Sequence, residues 1–288
     1  MEKNKDCDYA FQVIMLVGRR GNLSLALQQI CQETEIQIIG SDIAQKWTVN
    51  GGERLIEKDL EDLRIKPDLI INAAGEINPS AGYSRLRGIN YHLPRNLEKY
   101  SRHRGIKLVT FGTIMENFKE LSNCNPYLWS KFEFYDYLTK EIESNVNLLH
   151  LQIHTWYGVA NPNPGMFLGQ ILRALLMKEE FKMSSGNQLR EYHNIYDDLS
   201  AMQYLISQNT TGIVQVNHGE ALPLREIATT VFNSFSALNL LKIGSLDTSK
   251  LEIMAKQFEP NKLLAPVKFC ATMPGIIGDF NRLLEGQQ

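Results

Sequence analysis

Five short apolar runs, each followed by residues in helical rhythm, constrain this chain more than any other feature. The runs are Phe11–Val17, Ile36–Gly40, Pro67–Asn72, Lys107–Phe111 and Leu148–Ile153. Continuous apolar runs of this length read as strands buried on both faces. Strands alternating with helices at this spacing specify an α/β fold with a doubly wound, mostly parallel sheet. Arg54–Glu57 is expected to add a short third strand. Asn90–Arg104 reads as a helix, and a second begins at Pro126, whose missing N–H costs nothing at a first helical position, and runs to about Asn145.

After Gly158 the rhythm changes. A Pro- and Asn-rich loop leads into a helix at Phe167–Met177, a mixed polar and strand segment to Asp197, a helix to Ile206, a strand at Ile213–Asn217 and two further helices. The expected organisation is a nucleotide-binding domain over 1–158, rejoined by 191–217, and a smaller, irregular α/β substrate domain from 159–190 and 218–288.

The chain has 43% hydrophobic and 22% charged residues and a formal net charge of -2, which places it among ordinary globular proteins and gives no footprint for nucleic acid or an acidic membrane surface. The apolar run at Val13–Val17 is too short for a membrane span or a signal-peptide core, so a cytoplasmic protein is expected. Its four cysteines are scattered without C-x-x-C spacing, which points to reduced thiols and no zinc site. His150 and His154 are four apart with no third ligand nearby, so no metal is expected there.

The first strand runs into Gly18-Arg-Arg-Gly21-Asn-Leu-Ser24 and then a helix. Strand, glycine turn and helix aim backbone N–H groups and a helix N-terminus at a pyrophosphate. Ser24 stands where a third glycine would sit and is expected to loosen the helix–strand contact slightly. Asp42, after the second strand, suits a ribose diol and hence NAD(H). Arg19 and Arg20 suit a 2′-phosphate and hence NADP(H). The two signals conflict, and dual use or NADP(H) is expected.

Tyr127 and Lys131 are four apart and share one helix face. Eleven tyrosines and 17 lysines would give about 0.6 such pairs by chance, so the pair means little alone. Its setting adds weight, because Thr113 ends the preceding strand. An ammonium beside a phenol lowers its pKa, and a hydroxyl could hold the same substrate oxygen. Glu116, between them, is expected to be a solvated loop residue. Trp129, Tyr135 and an interior His154 are expected to pack, and Trp156 and Tyr157 could pack or flank a nicotinamide.

Taken in order, Gly18-x-x-Gly21, Asp42, Asp59-Leu60, Asn72-Ala-Ala-Gly75, Asn90, Thr113, Tyr127-x-x-x-Lys131, Tyr157-Gly158 and Arg190-Glu-Tyr with Asp197 resemble the extended short-chain dehydrogenases/reductases, the group of nucleotide-sugar epimerases, dehydratases and 4-reductases. The resemblance covers Gln12 to about Leu284 and implies a Rossmann-like fold and the following roles. Gly18, Arg19, Gly21, Asn22 and Leu23 would lie along the dinucleotide. Asp42, Asp59 and Leu60 would sit near its adenosine, and Ala73, Ala74, Gly75 and Asn90 would line its channel. Thr113, Tyr127 and Lys131 would be catalytic, with Lys131 on the nicotinamide ribose. Arg190 would grip the diphosphate of a nucleotide-diphosphate sugar, and His154 could touch the sugar. Ser24, the Thr110-Phe-Gly-Thr113 run and Gln152, where many members have Arg, depart from the pattern.

The first half is similar to dTDP-4-dehydrorhamnose reductases, and Val109–Lys131 and Gln188–Tyr192 are similar to CDP-4-keto-deoxysugar reductases. Both imply NAD(P)H-dependent reduction of a 4-keto nucleotide sugar in cell-surface polysaccharide biosynthesis. A 4-epimerase, a dehydratase and a non-catalytic nucleotide-binding subunit remain open. The resemblance also implies a homodimer paired through the helices after Asn90 and Tyr127.

Overall fold

The computed structural model describes residues 13–31, 35–122, 125–141, 147–160, 162–247 and 256–286. It divides the chain into two compact units, one of residues 1–153 with 202–215 and one of 154–201 with 216–288. The first boundary therefore falls at Ile153, and 191–201 belongs to the second unit, whereas the sequence reading gave that stretch to the first.

In the first unit, β1 (Val13–Val17), β2 (Glu35–Ile39), β3 (Leu69–Asn72), β4 (Lys107–Thr113), β5 (Leu148–Ile153) and one later strand, Gly212–Gln215, form a six-stranded sheet. Its order is β2-β1-β3-β4-β5 followed by Gly212–Gln215, and every pairing is parallel. All four residues of β3, and Ile14 to Val17 of β1, are buried, as strands covered on both faces must be. The chain reverses direction across the sheet next to β1, between β1 and β3, which is where open α/β sheets present a crevice beyond the strand ends.

Helix α1 (Asn22–Ile30) follows β1, and a short α2 (Ser41–Ala44) follows β2. The expected third strand is instead part of α3 (Glu53–Asp62). Its apolar residues explain why: Ile56 and Leu60 are buried one turn apart while Leu55 is exposed, a helical spacing rather than an alternating one. After β3 come α4 (Tyr83–Arg87), one π-helical turn at Gly88–His92, and α5 (Leu93–Arg104), which ends on left-handed Gly105. The stretch expected as a plain polar loop after β4 holds a 3-10 turn, Ile114–Asn117, and α6 (Lys119–Ser122). Then α7 (Pro126–Glu141) begins on Pro126 as expected, while 142–146 lie outside the described residues. One core cluster of this unit joins Met15, Val17 and Ile70 of the sheet to Trp47, Ile56, Leu97 and Phe134.

In the second unit, β6 (Thr155–Tyr157) pairs in parallel with β8 (Leu189–Asn194), which pairs antiparallel with Ala221–Pro223. A second sheet joins β7 (Phe181–Met183) to Leu241–Ile243. Helices α8 (Phe167–Met177), Leu224–Ser234 and Thr272–Glu285 share a core of Ile171, Ile227, Phe232, Ile276 and Phe280. Helix α9 (Ile195–Ser207) follows β8, with residues up to 201 in the second unit and those from 202 in the first. Tyr157 is 1% exposed and its ring lies against Gly275, so it packs. Among the described residues no helix is long and apolar enough to cross a membrane.

Candidate active site

The glycine turn after β1 is shaped by close backbone approach. Gly18 has φ +106, and a Cβ there would stand 3.0 Å from the backbone nitrogen of Ala74 and 3.2 Å from the carbonyl carbon of Ala73. Only glycine meets both conditions, the left-handed backbone and the contact with the end of β3. Ala73 itself is held by its N–H donating to Val17 O (2.9 Å). Gly21 is the N-cap of α1 in extended conformation and provides no side-chain cap. A glycine at the N-cap lets a ligand approach the N-terminus of α1 closely, which fits the turn to an anionic pyrophosphate.

Ser24 does not loosen this turn. It is fully buried and its hydroxyl donates to Gly18 O at 2.8 Å, so it clips the helix to the turn where a glycine would only pack. Arg19 and Arg20 are exposed beside it. Asp42 is exposed in the first turn of α2, and a Cβ on Gly40 would stand only 2.6 Å from its Oδ1.

Asp59 and Leu60 fall differently from the expected adenosine contacts. Because α3 is a helix, Leu60 is 2% exposed in the core, and Asp59 accepts a hydrogen bond from Trp47 Nε1 at 2.8 Å. Asn90 is a buried clip. Its Nδ2 donates to Glu76 O (2.8 Å) and to Ser130 Oγ (2.9 Å), and its Oδ1 accepts from Glu76 N (3.0 Å). The π turn that carries it thereby ties the loop of Ala73, Ala74 and Gly75 to α7.

At the start of α7, Asn125 Oδ1 accepts from the N–H groups of Tyr127 (2.9 Å) and Leu128 (3.3 Å), which caps the helix. Ser130 Oγ donates to Tyr127 O at 2.7 Å. One turn on, Lys131 Nζ donates to Phe111 O in β4 at 2.9 Å, two residues before Thr113.

The residue that gathers these groups is Glu116, which sequence reasoning placed in solvent. Its side chain is 1% exposed. Oε2 accepts from the N–H of Thr113 (3.3 Å), and Oε1 accepts from Gln152 Nε2 (2.9 Å) and lies 2.8 Å from His150 Nε2. His150 Nδ1 is 2.8 Å from Thr110 Oγ1, and Gln152 also exchanges hydrogen bonds with Asn117. Gly112 makes the space: a Cβ there would collide with both the Glu116 carboxylate and the His150 ring. The signal was present in the sequence, because Thr113-x-x-Glu116 is a capping box, and the structure forms it.

Glu116 also sets the electrostatics. Burial, and then the Glu116 carboxylate, push the Tyr127 phenol well above its ordinary pKa. Burial lowers Lys131, and Glu116 partly restores it. The expected lowering of Tyr127 by Lys131 is therefore overridden, since the ammonium is turned to Phe111 O. Near neutrality Tyr127 is a protonated phenol, suited to giving a proton rather than taking one.

The profile of the NAD dependent epimerase/dehydratase family matches residues 16–218, more than half the chain and the whole of the ground just described. The chain belongs to that family of enzymes. Its fold is shared with solved members at low identity. A dTDP-4-dehydrorhamnose reductase from Bacillus anthracis in complex with NADP is 18% identical, with a TM-score of 0.73 over 94% of this chain and 99% of that one. A UDP-N-acetylglucosamine 4-epimerase from Bacillus cereus is 16% identical, with a TM-score of 0.72 over 95% and 99%. A dTDP-glucose 4,6-dehydratase from Streptomyces venezuelae, with NAD and TYD bound, is 14% identical, with a TM-score of 0.74 over 95% and 98%.

Of the residues that the family pattern singles out, Gly18, Gly21, Thr113, Tyr127 and Lys131 all lie in the first unit. Arg190 and His154 lie in the second. There the half-buried Arg190 donates to Leu189 O (2.7 Å), and His154 Nε2 is 2.8 Å from Asn217 Oδ1.

Proposed function

We propose that this protein reduces the 4-keto group of a nucleotide-activated deoxysugar, using NADPH or NADH. The observation that carries this reading is the state of two interacting acid–base groups, Tyr127 and Glu116. Burial and Glu116 keep Tyr127 a protonated phenol, and the Glu116 carboxylate is already engaged by His150, Gln152 and the Thr113 N–H. Removing water from a sugar needs a free carboxylate near the phenol. Protonating the oxygen of a carbonyl under reduction needs only the phenol.

When bound, the nicotinamide supplies the hydride; the chain supplies placement and the proton. Gly18, Gly21 and the N-terminus of α1 would hold the pyrophosphate, with Arg19 or Asp42 meeting the adenosine ribose. Tyr127 Oη would give its proton to the C4 oxygen, and the Thr113 hydroxyl would hydrogen-bond that same oxygen. Lys131 would leave Phe111 O for the nicotinamide ribose. Arg190, a planar multiple donor, would take the sugar-nucleotide diphosphate. Two chains would pair through α5 and α7, where Trp129, Phe132 and Tyr135 form a half-buried aromatic row.

The test is to mix the protein with NADPH or NADH and a panel of dTDP-, CDP- and UDP-linked 4-keto-6-deoxyhexoses, following the absorbance of the reduced nicotinamide. Oxidation in step with one sugar is expected; no oxidation with any of them rejects the reading. The second reading is 4-epimerisation, which needs the same phenol and hydroxyl. It is distinguished by interconversion of two sugars with no net loss of reduced nicotinamide.

A further inference from the structure

The second unit buries a cluster of histidines and carboxylates that the proposed reaction does not use. It is drawn from four segments: His154 just before β6, Glu191 and His193 in β8, Asp198 in α9, and His218. The side chains of Glu191, His193 and Asp198 are at most 1% exposed, and those of His154 and His218 are 5% and 8% exposed.

Its geometry is directional. Asp198 Oδ1 lies 2.6 Å from His193 Nδ1, and Asp198 Oδ2 accepts from Trp156 Nε1, also at 2.6 Å. Held at both oxygens, Asp198 fixes the His193 ring so that Nε2 faces Glu191 Oε1 at 2.8 Å. Glu191 Oε1 is anchored in turn by the N–H groups of His218 (2.6 Å) and Gly219 (3.1 Å). Glu191 Oε2 is buried, has no hydrogen-bond partner, and stands 3.9 Å from His154 Nε2. The ligand atoms of His154, Glu191 and His193 all lie within 4.8 Å of one another. Phe258 meets the His154 ring edge-on at 5.2 Å, and Phe269 meets the His193 ring at 5.6 Å.

We propose that His154, Glu191 and His193 bind one divalent first-row transition-metal ion of the Zn²⁺ class, with Asp198 as the outer carboxylate that orients His193. Two imidazole nitrogens and one carboxylate oxygen favour such an ion over Ca²⁺ or Mg²⁺, which take oxygen ligands. Bonds of about 2.0–2.2 Å in a tetrahedron put ligand atoms roughly 3.3–3.6 Å apart; here His193 Nε2 stands 2.8 Å from Glu191 Oε1 and His154 Nε2 stands 3.9 Å from Glu191 Oε2. A carboxylate on the far nitrogen of a ligand histidine is the usual outer support of such sites. The unsatisfied Glu191 oxygen, otherwise a cost of burial, gains a partner.

Two contacts must yield. His154 must leave Asn217 Oδ1, and His193 Nε2 must exchange its contact with Glu191 Oε1 for the ion. The three protein ligands leave a fourth position open.

The full-length protein is treated with a chelator, dialysed, and titrated with Co²⁺ and then Zn²⁺. The readouts are the visible d–d absorption of Co²⁺ and competition with a chromophoric chelator. One tight equivalent per chain is expected. His154→Phe, which places an apolar ring beside Phe258, should weaken binding at least tenfold, and Asp198→Asn about 10–100-fold. Absence of tight one-to-one binding overturns the proposal, as does unchanged affinity in folded His154→Phe. If that variant fails to fold, the wild-type Co²⁺ complex decides. Paramagnetically shifted ring resonances from two histidines support the site, and their absence overturns it.

Discussion

Asn90→Ala should cost this protein far more than a channel-lining residue normally would. The side chain is 2% exposed and makes three hydrogen bonds, two to the backbone of Glu76 and one to Ser130 Oγ. At about 0.5–1.5 kcal/mol net for each bond, the loss lies between about 1.5 and 4.5 kcal/mol. The Glu76 N–H and carbonyl are left without this partner, which places the expectation near 3 kcal/mol. Asn90→Asp is the sharper comparison. It keeps the acceptor for Glu76 N–H but loses Nδ2, and it turns an oxygen toward the Glu76 carbonyl. It should therefore destabilise at least as much as alanine, although it is nearly isosteric. Urea unfolding with an unchanged m-value reads the difference directly. The same variants should bind dinucleotide more weakly, because the loop carrying Ala74 and Gly75 has lost its clip. An Asn90→Asp protein within about 1 kcal/mol of wild type would refute the reasoning.

Three further outcomes follow from the site. Gly112→Ala should lose about 3 kcal/mol or more, because its Cβ would strike the buried Glu116–His150 pair; wild-type stability in urea would show that the pair is misplaced. Gly18→Ala should weaken dinucleotide binding at least tenfold in a fluorescence titration, since the new Cβ meets the Ala74 backbone at a φ of +106; unchanged affinity would contradict it. Glu116→Gln removes a negative charge that, after burial, raises the Tyr127 pKa. The phenol must be protonated to donate, so the alkaline limb of the pH–rate profile should move to lower pH; an upward shift or none would contradict the assignment.

Much of this arrangement was legible in the sequence where the controlling interactions are local. The parallel sheet followed from five buried runs. The start of α7 followed from Pro126, and the shared face of Tyr127 and Lys131 from helical spacing. The failures have physical causes. Arg54–Glu57 looked like a strand because four residues are too few to show a helical period, which Ile56 and Leu60 reveal. Ser24 was judged by what glycine would do there, not by the hydroxyl it brings to Gly18 O. Glu116 looked solvated because its partners His150 and Gln152 lie 34 and 36 residues away on β5, and only strand pairing brings them near. The local capping-box spacing with Thr113 was the one available clue. His154 looked like a lone histidine for the same reason, since Glu191 and His193 reach it through the pairing of β6 with β8.

The measurement that bears most directly on the account is steady-state turnover of Tyr127→Phe with a nucleotide 4-keto sugar, alongside its affinity for NADPH and NADH. Removal of the donating hydroxyl should lower kcat by about 10²–10⁴-fold and leave dinucleotide affinity unchanged. Turnover equal to that of the wild type would contradict a proton supplied by residue 127.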